Sequence, residues 1–162
     1  MNIECTHTES IADLVPPADG CAICLAEGGR WVHLRQCLTC RVTLCCDSSP
    51  SQHMSRHWEA TGHPIMRSAE PGEDWIWCQV DEANIRESDG RWTTYDPFVE
   101  SGRWFVGRHL DTGGTLDVDP RATSPEGFPL RQWIDHVREQ YHAGALDPAD
   151  IDAIETLPGW TW

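Results

Sequence analysis

The 162-residue sequence contains no lysine: all 12 basic residues are arginines, set against 26 acidic residues, for a formal net charge of −14. Modifications directed at lysine side chains therefore have no target. Residues 1–83 carry 5 arginines and 12 acids, and residues 84–162 carry 7 and 14, so each half nets −7. Both halves repel phosphate polyanions and anionic membranes unless their arginines gather on one face. No apolar run approaches the roughly 20 residues needed to span a bilayer. The opening Met1-Asn2-Ile3-Glu4-Cys5 has neither the basic start nor the apolar stretch of a secretory signal. The expectation is a cytoplasmic protein without a membrane partner, built as one mid-sized domain or two small ones.

What the chain has instead is cysteine, histidine and tryptophan: eight, eight and nine residues. Seven cysteines fall between Cys5 and Cys46, and none follows Cys78. Without an export signal, paired cysteines beside histidines point to metal before disulfides. Cys21-Ala-Ile-Cys24 and Cys37-Leu-Thr-Cys40 are two Cys-x-x-Cys knuckles, each able to aim two sulfurs at one tetrahedral zinc. Cys45, Cys46, His53, His57 and His63 follow. Ser49 as cap, Pro50 at the first helical position and Gly62 as stop predict a helix between them. On that helix His53 and His57 are four residues apart and share a face.

The order of ligands predicts interleaved sites. One takes Cys21, Cys24, Cys45 and His53; the other takes Cys37, Cys40, His57 and His63. Cys5, His7, Cys46 and Cys78 remain, raising the total to twelve ligands, enough for three tetrahedral zincs. The alternative is two zincs, with Cys46 a small buried hydrophobe and Cys5 unengaged. Such cysteine-rich sets are closed by protein ligands and suit structural metal, so no catalytic residue is expected. A third site made only of Cys5, His7 and Cys78 would leave an open, hydrolytic position.

Together these residues resemble a UBP-type zinc finger, the module of ubiquitin-specific proteases and of one ubiquitin-binding histone deacetylase, and in particular its short bacterial members. The resemblance rests on Cys5-x-His7, the two knuckles, Trp31, Cys45, His53-x-x-x-His57, Gly62-His63-Pro64 and Trp75-Ile76-Trp77-Cys78, over about residues 3–82. It implies a pocket for a free C-terminal Gly-Gly tail of ubiquitin or a similar protein, with Trp31, Trp75 and Trp77 as its aromatic walls. Two positions depart from the family: Asp47 stands where it has an arginine, and Trp75 stands three residues before Cys78, where a knuckle partner would be.

Beyond Cys78 the sequence is read as a linker over 83–90 and a helical domain over 91–162, with a first helix from about Trp92 to Ser101 stopped by Gly102. A second runs from about Pro129 to Ala143, with Leu130, Trp133, Ile134, Val137 and Tyr141 at helical spacing, and a third is capped by Asp147-Pro148. The stretch 111–127 reads as a loop. With Trp92, Gly102, Trp133, Arg138, Tyr141 and Leu157-Pro158-Gly159-Trp160-x-Trp162, this half resembles the helicase-associated domain, a three-helix module found behind some bacterial helicases. That resemblance implies nucleic-acid contact through Arg103, Arg108, Arg131 and Arg138.

The expected architecture is thus α+β: a zinc-stabilised finger of short sheet plus helix over 1–82, then a small three-helix domain. The expected function is non-catalytic recognition of a protein or peptide C-terminal tail, with a nucleic-acid adaptor and a zinc hydrolase as the alternatives.

Overall fold

The computed structural model describes residues 4–162, which form two compact units, one ending at Tyr95 and the other spanning Asp96–Trp162. The first is a six-stranded antiparallel sheet with two helices. Its strands are β1 (Leu34–Cys37), β2 (Thr43–Cys45), β3 (Ile65–Ser68), β4 (Ile76–Cys78), β5 (Ala83–Ser88) and β6 (Arg91–Tyr95), in the order β2-β1-β3-β4-β5-β6. Helix α1 (Ala22–Glu27) starts inside the first knuckle, and α2 (His53–Thr61) joins β2 to β3. The α+β expectation holds.

Two details of the finger differ from the sequence reading. Helix α2 starts at His53, because Ser49 is engaged elsewhere: it is buried, and its Oγ accepts the Val32 amide at 3.0 Å. The predicted linker over 83–90 is a strand and turn instead. Asp89 and Gly90 both take positive φ, at 52° and 75°, as a two-residue type I′ hairpin requires. Ser88 accordingly pairs with Arg91, and the hairpin adds β5 and β6 to the sheet.

The finger has two small cores. One gathers Leu34, Leu44 and Met54 around Cys21, Cys24, Cys37 and Cys45; the other gathers Leu38, Ile65 and Ile85 around Cys5 and Cys78. Thiols thus occupy core positions that aliphatic side chains fill in most domains.

The second unit consists of α3 (Pro97–Asp111), α4 (Leu130–His142) and α5 (Pro148–Glu155). Trp92 belongs to β6, so the first helix begins later than the sequence reading had it. It also continues through Gly102 to Asp111. Gly102 serves packing here: a Cβ at this position would lie 1.9 Å from Trp133 Cδ1. The fully buried Trp133 crosses that gap and donates its indole N–H to the Val99 carbonyl at 3.1 Å. Val106, Leu130, Ile134, Val137, Ile154 and Leu157 complete a conventional apolar core. Asp147 accepts the Ala149 amide and caps α5, as its Asp-Pro start predicts. No helix among the described residues is long and apolar enough to cross a membrane.

Replacing Gly102 with Ala is expected to overpack this core and cost about 1–3 kcal/mol. Thermal unfolding followed by circular dichroism should show a lower midpoint for the helical unit, with zinc content unaffected. An unchanged midpoint would contradict the close approach of Trp133.

Candidate metal centres and a neighbouring groove

Among the described residues, three clusters of side chains able to ligate a metal form in the first unit, and within each the four ligand atoms lie within 4.8 Å of one another. Zinc bonds of about 2.3 Å to sulfur and about 2.05 Å to imidazole nitrogen set the edges of a tetrahedron. These are about 3.8 Å between sulfurs, about 3.6 Å between sulfur and nitrogen and about 3.3 Å between nitrogens. The observed separations can be tested against those lengths.

The first cluster is Cys21, Cys24, Cys45 and His53, all buried. His53 Nδ1 lies 3.3, 3.4 and 3.5 Å from the three sulfurs, and Cys24 Sγ lies 4.0 Å from Cys45 Sγ. Local structure aims these groups. Cys21 precedes α1 and its sulfur accepts the Cys24 amide, while the His53 amide points at Cys45 Sγ from the start of α2. Burial opposes ionisation of Cys21, but the Cys24 amide and the His53 ring draw its pKa down to about 7. Burial, then the neighbouring Cys21 and Cys45 thiols, push Cys24 up to about 12. One anion forms easily and the next only against it. A cation bound among the three sulfurs resolves that conflict.

The second cluster is Cys37, Cys40, His57 and His63. His63 Nδ1 is 3.6 Å from Cys37 Sγ, His57 Nε2 is 3.4 Å from Cys40 Sγ, and the two nitrogens are 3.2 Å apart. His53 and His57 share a helix face but serve different clusters, one through Nδ1 and one through Nε2. Burial, then the adjacent His63, hold His57 below its ordinary pKa, which favours the neutral imidazole that a metal needs. Gly62 ends α2 in the left-handed conformation, φ 69°, and turns the chain so that His63 falls back beside His57.

The third cluster contains Cys5, His7, Cys78 and, unforeseen in the sequence, Asp81. His7 Nδ1 lies 3.8 Å from Cys5 Sγ, 3.6 Å from Cys78 Sγ and 3.2 Å from Asp81 Oδ2. The Asp81 amide points at Cys78 Sγ at 3.4 Å, the same arrangement as Cys24 on Cys21. Cys78-Gln79-Val80-Asp81 therefore has the turn of a knuckle, with a carboxylate at the second ligand position. The partner of Cys78 lies downstream, not at Trp75, and a Cys-x-x-Asp spacing was the signal available. Burial, followed by Asp81, pushes Cys5 up to about 12, and burial also raises Cys78. The Cys5 thiol, then other neighbours including Cys78 and His7, hold the Asp81 carboxyl below its usual range.

Cys46 joins none of these clusters. It is buried, its sulfur lies 3.5 Å from Ser49 Oγ, and its amide donates to the His33 carbonyl. Burial raises its pKa, but the Ser49 hydroxyl, the backbone and the Arg35 charge outweigh that and hold the thiol below its ordinary value.

Cys46 does line a groove of about 210 Å³, with Arg35, Asp47, Ser48, Met54, Met66 and Trp75. Arg35 stacks on the Trp75 ring, 4.5 Å from its centroid, and donates to the Leu34 carbonyl at 2.8 Å. Glu73 holds the other side of this wall, accepting both the Ser68 hydroxyl and the Trp75 indole N–H, and these bonds keep its carboxyl below the usual range. Of the expected pocket tryptophans, Trp75 alone lines the groove. Trp31 packs on the first cluster's core near Gly20, and Trp77 pairs with Met66 across β3 and β4. Arg35 is a groove residue that spacing alone does not mark, since its stacking on Trp75 is a contact across 40 positions of sequence.

In the second unit, three of the four expected nucleic-acid arginines are engaged internally. Arg108 pairs with Glu126, Arg131 with Asp135, and Arg138 donates to the Thr161 carbonyl.

Residues 21–89 match the family described as "Zn-finger in ubiquitin-hydrolases and other protein". With the Cys/His clusters it contains, this part of the chain is a zinc-binding module of the UBP type. A protein from Rhodopseudomonas palustris with a solution NMR structure is 47% identical over 56% of this chain and 89% of that one, with a TM-score of 0.48. No curated protein matches the chain. The family match ends before α3.

Structural zinc contributes about 10–16 kcal/mol in small fingers, comparable to or above the about 5–15 kcal/mol stability of a whole domain. Replacing buried His53 with Ala is therefore expected to melt the first unit and to lower zinc content by at least one per chain, the interleaved second cluster losing its scaffold with the first. Replacing the exposed His33, which makes only a 3.9 Å approach to Glu70, should alter neither. Metal analysis and circular dichroism on the two variants check this; unchanged zinc content in H53A would contradict the first cluster.

Proposed function

We propose that this protein is a non-catalytic interaction module, held together by three structural zincs, that captures the free C-terminal tail of a protein partner in the Arg35–Trp75 groove. The carrying observation is the guanidinium of Arg35 stacked 4.5 Å over Trp75 at a groove floored by Met54 and Met66. An aromatic wall and thioether floor suit a narrow, glycine-like tail, and the guanidinium offers donors to its terminal carboxylate. Asp47 takes the place where the family carries its arginine, so on this reading Arg35, which also lines the groove, supplies the positive charge. The family resemblance makes a ubiquitin-like protein the first partner to test.

The same geometry supports a structural role for the metals. Each cluster offers four protein ligands, which leaves no coordination position for substrate or water. The internal pairing of Arg108, Arg131 and Arg138, with the net charge of −14, favours a protein partner over a nucleic acid.

Titration of the zinc-loaded chain with a peptide ending in a free Gly-Gly carboxylate should change tryptophan fluorescence, while the amidated peptide should bind at least about tenfold more weakly, a difference of about 1.4 kcal/mol. Arg35→Ala and Trp75→Ala should each weaken binding by a similar factor, and Trp77→Ala should weaken it little. Equal binding of both peptides, or of neither, would overturn the proposal.

A further inference from the structure

We infer that the third cluster is an exchangeable metal clasp, whose loss releases the N-terminal segment from the β5–β6 hairpin while the other two centres stay closed. The inference rests on the three-zinc reading above. Two independent features carry it: the chemistry of the donors and the path of the chain.

The clusters differ in donor set. The first offers three sulfurs and a nitrogen, the second two sulfurs and two nitrogens, and the third two sulfurs, a nitrogen and the Asp81 oxygen. Zinc is borderline-soft, and thiolate and imidazole hold it well, whereas carboxylate is also the ligand of weakly held hard cations. Asp81 therefore puts the weakest donor into the third set.

The chain path makes its opening local. Ligands of the first two clusters alternate along residues 21–63, through α1, β1, β2 and α2. Neither of those centres can open without disturbing the strands and helix that carry the other. Cys5 and His7, by contrast, lie on one short segment at the start of the described chain. That segment is tied to the hairpin by the Cys5 amide on the Trp92 carbonyl at 2.9 Å and by the Glu4–Thr93 bridge. The Thr39 hydroxyl donating to Ser10 Oγ at 3.2 Å marks the next anchor, followed by the Ala12 amide on the Leu38 carbonyl. Release of the metal frees the residues before that anchor, bares the outer edge of β6, and uncovers Ile85 and Trp92, which pack with Cys5. Low-stability openings of this kind involve few backbone bonds and leave the remaining fold intact.

The test uses the full zinc-loaded chain and a chromogenic chelator, with zinc release timed and amide exchange measured in parallel. One zinc should leave at least roughly tenfold faster than the other two, with exchange protection lost at Cys5 and on β6 but retained on α2, β1 and β2. Asp81→Cys, which completes a Cys-x-x-Cys knuckle, should remove the fast phase, and Asp81→Asn should accelerate it. Three zincs leaving in a single phase, or early loss of protection on α2, would overturn the clasp and leave the three-zinc reading standing. A fully loaded chain holding only two zincs would overturn both.

Discussion

Coordination of buried thiolates is the interaction on which the finger depends. Its two cores contain few aliphatic side chains, among them Leu34, Leu44, Ile65 and Ile85, and the positions between them hold cysteine. Uncompensated charges in such a place are costly. The opposing shifts of Cys21 and Cys24 follow from that cost: burial, then the neighbouring Cys21 and Cys45 thiols, make a second thiolate at Cys24 hard to form. Metal turns the conflict into cohesion, and in doing so fixes α1, β2 and α2 on one another. The sheet that results brings Arg35 and Met66 to the groove that Trp75 also lines.

The second unit shows what the first lacks. Its core is tryptophan and aliphatic, closed by the close approach of Trp133 to Gly102 and by an aromatic tail in which Tyr141 stacks on Trp162 at 4.1 Å. Apolar burial is the main source of its cohesion, with no cluster of metal-ligating side chains among its described residues. The chain thus joins two modes of stabilisation, one dependent on metal and thiol oxidation state and one indifferent to both.

Spacing made the first two ligand sets legible, because knuckles and an i, i+4 histidine pair have few geometric solutions. The alternation of sites along the chain followed from the same order. What spacing did not disclose was chemistry carried by common residues. Asp81 is one of 26 acids, and only the amide-to-sulfur turn at Cys78 distinguishes it. Asp89-Gly90 stood in a polar stretch, where a hairpin and a linker look alike until the flanking strands find partners. Gly102 looked like a helix stop because its packing partner lies 31 positions away, at Trp133. Arg35 needed a strand register that places it across from Ser68 and beside Trp75. At Gly102 and Arg35 a long-range contact decided between two locally acceptable readings.

Metal, and not apolar burial, holds the finger. Titrating zinc into the reduced, metal-free full chain while following amide exchange tests it most directly. β1–β6 and α2 are expected to gain protection only as zinc is added, while α3, α4 and α5 are protected from the outset. Full protection of the sheet before any zinc is added would contradict it.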